Sequence, residues 1–313
     1  MIAGRSGFQA ATQSLVDSRV VAAGLNPTGG AIEWARTSTS CAMSSDRPLA
    51  GNQLAVFPDA GEIPEARLQP LAREINFSET VFAYPAAGDG HAQIRIFTPQ
   101  SELPFAGHPV LGSAFVLGAA LGGDEIRLET GRGVIPVRLQ RDGRRITFGW
   151  MRQPIPSVAP FGDETALLVA LGVERSVLPV EVYDNGVQHV FVMLETEDAV
   201  AQLAPDTGAL VRLLPNRGMN CFAGGGRRWK TRMFAPGMGV VEDPATGSAA
   251  GPLAVHLVRH GRLRFGEEIE IAQGGEIGRP STLHARLEGE NGRLQQVEVG
   301  GSAVIVGRGE FSL

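Results

Sequence analysis

Three side chains in this sequence have the types and spacing for proton-transfer chemistry: Glu79, His108 and Asp243. Two of them sit in a sentence the chain carries twice. Residues 95–114 read RIFTPQSELPFAGHPVLGSA and residues 232–250 read RMFAPGMGVVEDPATGSAA. In both, Arg-x-Phe-x-Pro leads through a glycine-containing loop to Pro-x-x-Gly-Ser-Ala. A third echo follows in the same order, EIRLETG at 125–131 and EIEIAQG at 268–274. A duplication at a spacing of roughly 140 residues implies two similar half-molecules, with the cleft between them as the place for function.

The copies differ at His108 and Asp243. With Pro109 and Pro244 taken as first helical residues, both fall at the N-caps of equivalent helices. Asp is a common cap and His a poor one, so capping leaves His108 unexplained. Two helix N-termini facing one cleft offer unpaired N–H groups and the positive ends of two dipoles. They would hold a carboxylate without a metal or a basic cluster. Gly107, Gly247 and Ser248 are the expected substrate-binding residues at those ends, with Ser113 as the twin of Ser248. The alternative is that both are ordinary core helices packed through small residues.

Glu79 lies in Ile75-Asn76-Phe77-Ser78-Glu79, and the corresponding stretch of the second copy, Met219 to Ala223, ends in alanine. A carboxylate present in one copy only, at a helix-to-strand junction, can accept a proton and give it back. A surface turn is the competing account. Glu242 reads as a solvated charge and Glu102 as a loop or capping residue. The Gly224-Gly225-Gly226-Arg227-Arg228 run lacks a Lys-Ser/Thr ending and precedes a strand, so a tight turn is expected there. His256 and His260 have no accompanying acidic ligand in sequence and read as the end of a helix. Trp229 and Phe234 read as core. Cys41 and Cys221 lie away from the duplicated helix starts, which disfavours two-thiol racemase chemistry.

The elements that must position these residues are short strands. The 313 residues are 43% hydrophobic and 19% charged, with a net charge of −5, 41 glycines and 20 prolines spread along the chain. No basic stripe exists for a nucleic-acid partner and no apolar run of membrane-spanning length. With no secretory pattern and unpaired cysteines, a cytoplasmic protein is expected. Strands are expected at NQLAVF, TVFAYP, QIRIFTP, 125–129, 133–140 and 145–151, and in the second half at VEVYD, HVFVML, RWKTRMFAP, 268–272, 282–288, 295–299 and 303–306. Helices are expected from Ile63 to Ile75, from Pro109, around Ala204 to Leu214 and from Pro244. The proline-rich MRQPIPSVAPFG is the junction. The class is therefore α+β, a sheet wrapped around one central helix in each half, with domains 44–153 and 154–313. Residues 1–43 keep no period and are expected to be a disordered extension, with a helix possible around Ser14 to Ala23.

AGNQLAVF, EINFSETVF, RIFTPQSELPFAGHPVLGSA, LETGRG, NGVQHVFV, the run from Asn220 to His260 and EIGRP together resemble the PhzF-type phenazine-biosynthesis isomerases, from about Arg47 to the C-terminus. The resemblance implies a diaminopimelate-epimerase-like fold, a homodimer, and no cofactor or metal. It implies isomerisation of a small-molecule substrate, trans-2,3-dihydro-3-hydroxyanthranilate, with Glu79 as proton carrier, His108 and Asp243 lining the site and Ser248 on the ligand. Family members carry Gly-Asn-Pro where this chain has Gly51-Asn52-Gln53, a tolerated turn variation. They also begin with a strand ending in Asp-Ala-Phe, whereas Ser38 to Ser44 does not resemble a buried strand. An altered or misread 5′ end that cost the first strand is the expectation, leaving an unpaired sheet edge. A related isomerase or epimerase on another small cyclic amino acid, and a non-catalytic ligand-binding homologue, are the competing functions.

Overall fold

Alternating short strands build two matching sheets. The structure, a computed structural model, describes residues 36–43 and 45–312. The first half runs β1 (Arg36–Met43), β2 (Gln53–Phe57), α1 (Glu65–Ile75), β3 (Glu79–Pro85), β4 (Ala92–Phe97), β5 (Glu102–Leu103), α2 (Gly107–Leu121), β6 (Glu125–Thr130), β7 (Gly133–Asp142) and β8 (Arg145–Gln153). The second runs β9 (Ser157–Pro160), α3 (Glu164–Leu171), β10 (Glu181–Asp184), β11 (Gln188–Met193), α4 (Glu197–Ala201), α5 (Thr207–Leu213), β12 (Arg217–Gly225) and β13 (Arg228–Ala235). It continues with β14 (Val240–Asp243), α6 (Gly247–Arg259), β15 (Glu268–Gln273), β16 (Ser281–Glu290), β17 (Arg293–Gly301) and β18 (Val304–Ser312).

The pairings repeat. β2–β3 is parallel, β3–β4 antiparallel, β4–β6 parallel, and β6–β7–β8 antiparallel. β11–β12, β12–β13, β13–β15 and β15–β16–β17 follow the same sequence of directions. The halves are stitched together by pairing of β8 with β17 and by the return of the last strand to the first sheet. β9 joins β10 in the second sheet, while β18 returns to join β1 in the first.

Each sheet wraps a helix with no solvated face. α2 is buried continuously from Gly107 to Gly118 and α6 from Gly247 to Leu257. That fits sequences apolar or small all round, since a helix without a polar face belongs inside a core. Such burial fixes where each helix begins, and so where its free N–H groups point. Trp229 and Phe234 are buried as expected, and Gly226-Arg227 is the expected tight turn between β12 and β13.

Two expectations are corrected here. Arg36–Met43 form a strand between β2 and β18, so the extension does not run through Met43 and the first sheet has no open edge at β2. The helix considered near Ser14 to Ala23 lies outside the described residues. Second, the helices start at Gly107 and Gly247, behind N-caps Ala106 and Thr246, not at Pro109 and Pro244. His108 is therefore inside the first turn of α2, and Asp243 ends β14 before α6 begins. Neither is an N-cap.

The true register of the repeat follows from an ion pair. Arg95 holds Glu102 through Nε and Nη2 at 2.7 Å each, and Arg232 holds Glu242 the same way at 2.9 and 2.8 Å. Glu102 and Glu242 are thus equivalent, as are Pro104 and Pro244, Gly107 and Gly247, and His108 and Ser248. The Gly-Ser-Ala match that aligned His108 with Asp243, and Ser113 with Ser248, was a coincidence of small residues. Glu242 is also no solvated charge: its side chain is 8% exposed against Arg232.

Candidate functional site

An open cavity of about 530 Å³ lies where the two helix tips meet, and Glu79, His108, Asp243, Gly107, Gly247 and Ser248 all line it. The tips abut closely: a Cβ built on Gly107 would stand 2.5 Å from both Gly247 C and Ser248 N. Neither Ala106 nor Thr246 caps its helix with a side chain, so the first N–H groups of both helices are free for a ligand. Ser113 is buried one turn further into α2 and lines no part of the cavity.

Strand register delivers Glu79. It opens β3 opposite Leu54, and the equivalent pair in the second sheet is His189 opposite Gly218. Its counterpart is thus Gly218, not Ala223, although the asymmetry itself holds. Glu79 Oε2 lies 3.0 Å from His108 Nε2. The two side chains form a buried ion pair, and neither of these atoms makes a hydrogen bond elsewhere.

Asp243 is held by donors on both oxygens. Asn52 Nδ2 donates to Oδ1 at 2.8 Å and Thr246 Oγ1 to Oδ2 at 2.5 Å. Gln273 Nε2 in turn donates to Thr246 Oγ1 at 2.9 Å and to the Asp243 carbonyl at 2.7 Å. Burial and the charge of Glu79 push the Asp243 carboxyl up to about 6, against the pull of His108 and these donors. For His108, burial works to lower the pKa, but the charges of Glu79 and Asp243 outweigh it and hold the ring above its ordinary value.

Three residues at the site carried no role in the sequence. Asn52, which the sequence places in a turn, bridges the halves: its amide reaches Asp243, the Ala245 carbonyl at 3.1 Å and His108 Nδ1 at 3.2 Å. His189 lines the cavity and touches Ser248 Oγ through Nε2 at 3.0 Å. Asn185 repairs a defect in α6. Pro252 has no N–H for the Ser248 carbonyl four residues back, and Asn185 Nδ2 donates to that carbonyl at 2.9 Å instead. A lone His in the apolar β11 and an Asn after a glycine were the only signals available.

His256 and His260 do end α6, but the lack of an acidic neighbour is corrected. Glu181 of β10 lies 3.2 Å from His256 Nδ1 and 2.9 Å from His260 Nε2. Tyr183 donates its hydroxyl to Glu181 at 2.7 Å and Arg259 approaches at 3.2 Å. Burial would raise Glu181, yet these hydrogen bonds hold it down to about 2. With its oxygens satisfied and a guanidinium alongside, the cluster is a charge-balanced tie between β10 and α6. Cys221 is buried, its thiol pushed up to about 12, away from the cavity lining. Among the described residues, no helix is long and apolar enough to cross a membrane.

Known proteins resemble this chain in sequence and fold. The family model described as phenazine biosynthesis-like protein matches residues 43–309. The trans-2,3-dihydro-3-hydroxyanthranilate isomerase of Pseudomonas fluorescens is 51% identical over 266 residues, 85% of this chain and 95% of that protein. The crystal structure of a PhzF-family phenazine biosynthesis protein from Bacillus anthracis superposes with a TM-score of 0.78 at 23% identity, over 89% of this chain and 100% of the other. A hydroxyproline epimerase from Agrobacterium vitis gives 0.63 at 12% identity, covering 90% and 93%, which shows a shared fold. The fold is the α+β, two-halved architecture of the epimerase-like proteins, and the chain belongs to the phenazine biosynthesis-like protein family.

Proposed function

We propose that this chain is a cofactor-independent isomerase that moves a proton and the double bonds of trans-2,3-dihydro-3-hydroxyanthranilate in phenazine biosynthesis. The observation that carries the proposal is the Glu79–His108 pair, a buried carboxylate and imidazole 3.0 Å apart, facing a cavity that also takes in two helix tips without side-chain caps. Half-identity to a relative bearing that activity supplies the substrate. Glu79 takes the proton from the hydroxyl-bearing ring carbon and returns it to the carboxylate-bearing carbon, and the diene shifts between them. The resulting enol tautomerises to an aminoketone. Nothing is gained or lost: substrate and product are isomers. His108 and Asp243 hold the hydroxyl and amino groups. The N–H groups at Gly107 and Gly247, with the Ser248 hydroxyl, receive the carboxylate. Two halves, 44–153 and 154–313, each supply one wall, and the protein works as a homodimer in the cytoplasm.

Incubation of the purified protein with the dihydro acid in heavy water tests this. The diene absorbance should disappear with a product bearing solvent deuterium in the ring. Binding with no change in the diene would refute the assignment.

The pH profile is a second expected outcome. As pH falls through about 6, Asp243 takes up a proton and loses acceptor capacity toward Asn52 and Thr246, so kcat/KM should fall on that side. The loss is not Asp243-driven unfolding. A carboxyl whose folded-state pKa is raised contributes stability below its ordinary pKa and loses it as pH rises through about 6. The alkaline limb should lie above the ordinary histidine value, where His108 loses its charge. Rate measurements on Asp243→Asn should show no limb near 6; its persistence would remove Asp243 from the profile.

A further inference from the structure

We infer that His189 is a positioning residue whose N–H fixes the Ser248 hydroxyl as a hydrogen-bond donor to the substrate carboxylate. The inference rests on the isomerase reading for its substrate, though not for its geometry. His189 is fully buried, and its two ring nitrogens have different neighbours. Nδ1 lies 3.3 Å from Asn220 Nδ2, and Nε2 lies 3.0 Å from Ser248 Oγ. The Asn220 amide nitrogen also faces the carbonyls of Val190 and Gly218 at 3.5 Å each, acceptors that suit a nitrogen and not an oxygen at that end of the amide. A donor at Nδ1 makes that atom the acceptor, so the ring proton sits on Nε2. Burial pushes the imidazole down to about 3, against the pull of Asp184, so it stays neutral and carries one proton only.

The direction of the whole chain follows. Asn220 donates to His189, and His189 donates to Ser248 Oγ. The Ser248 proton cannot then return to His189 and is left for an acceptor in the cavity that both residues line. A hydroxyl free to rotate could turn its proton toward His189; here it accepts from His189 and turns its proton toward the cavity.

The repeat shows how the sequence makes room for this. Gly218 stands where the first half has Glu79, and a Cβ there would sit 2.8 Å from His189 Nδ1. His189 stands where the first half has Leu54. The two sheets have thus exchanged a side chain between neighbouring strands. One half presents a carboxylate that takes protons, beside the imidazole of His108 at the helix tip. The other presents an imidazole behind the hydroxyl at the equivalent tip.

The test compares 3-hydroxyanthranilate with its carboxamide as inert probes, by calorimetry, on the wild type, His189→Phe, His189→Gln and Ser248→Ala. His189→Phe should weaken the carboxylate probe about tenfold and the carboxamide less than threefold, with KM for the dihydro acid raised about as much and kcat changed less. His189→Gln, whose amide can still donate to Ser248, should restore most of the difference. His189→Phe added to Ser248→Ala should cost no more than either alone, because both remove the same hydrogen bond to the ligand. Additive losses, or equal weakening of the two probes, would overturn the inference. Nitrogen-15 NMR of the histidine-labelled wild type needs no variant: the His189 proton should be on Nε2, and a proton on Nδ1 would overturn the inference outright. Because the probes do not turn over, a wild type that fails to isomerise the dihydro acid yet shows these binding differences sinks only the isomerase reading. A wild type that binds neither probe sinks both.

Discussion

Glu79→Gln should lower turnover by about 10³-fold or more while leaving affinity for an inert ring carboxylate within about tenfold, roughly 1.4 kcal/mol. The substitution keeps shape and reach but cannot take a proton from carbon. General acid–base groups supply about 10²–10⁴ in rate, and the other carboxylate lining the cavity, Asp243, is more heavily engaged. Asp243 already accepts from Asn52 and Thr246, whereas Glu79 Oε2 pairs with His108 and makes no hydrogen bond elsewhere. The same change removes a charge that raises Asp243, so the acid limb of residual activity should move below about 6. Steady-state kinetics and calorimetry on one preparation read both effects. A Glu79→Gln enzyme with more than about a tenth of wild-type kcat would mean that the proton travels by another group.

Much of the architecture was written in short-range pattern. Strands with alternating or continuous apolar runs, such as QLAVF and EIRLET, lie within a residue or two of where alternation places them. The two central helices were visible as apolar runs behind repeated Gly and Pro, and the asymmetry between the copies pointed to the chemistry. The helix starts were misplaced because identical letters did different work. Gly112 packs beneath Leu54, where a Cβ would stand 2.6 Å from Cδ2, whereas Gly247, matched to it by sequence, is the tip of α6. What the halves share is geometric: an arginine clamped to a glutamate, then proline, then a glycine opening the helix. β1 was missed because RTSTSCAM has no apolar alternation; its place comes from backbone pairing on both sides, which leaves little trace in composition. Asn52, His189 and Glu181 were illegible for a related reason. Each acts on groups far away in sequence, and only the folded register brings Asn52 to Asp243 or Glu181 to His260.

Gly107→Ala should be the most damaging small substitution at the two helix tips, costing about 3 kcal/mol or more of stability. The added methyl would lie 2.5 Å from Gly247 C and from Ser248 N, and both are main-chain atoms of a buried helix tip. A flexible side chain could swing aside; α6, packed along its length, can only move as a body. The helix tips must part, and with them the N–H groups that meet at the cavity. A misplacement of about 1 Å there can cost about 10²-fold in rate, so kcat/KM should fall even in whatever fraction stays folded. The reciprocal change is predicted to be milder. On Gly247 the nearest atoms to a new Cβ are His108 N at 3.0 Å and Gly107 C at 3.2 Å, contacts that a few tenths of an ångström would relieve. Gly112→Ala serves as the control, since its clash is with the Leu54 side chain alone, away from the cavity lining, and should reduce stability with little change in KM. Urea denaturation and kinetics should therefore rank Gly107→Ala worst on both measures. A Gly107→Ala protein as stable and as active as Gly247→Ala would show that the two helix tips do not meet as closely as this.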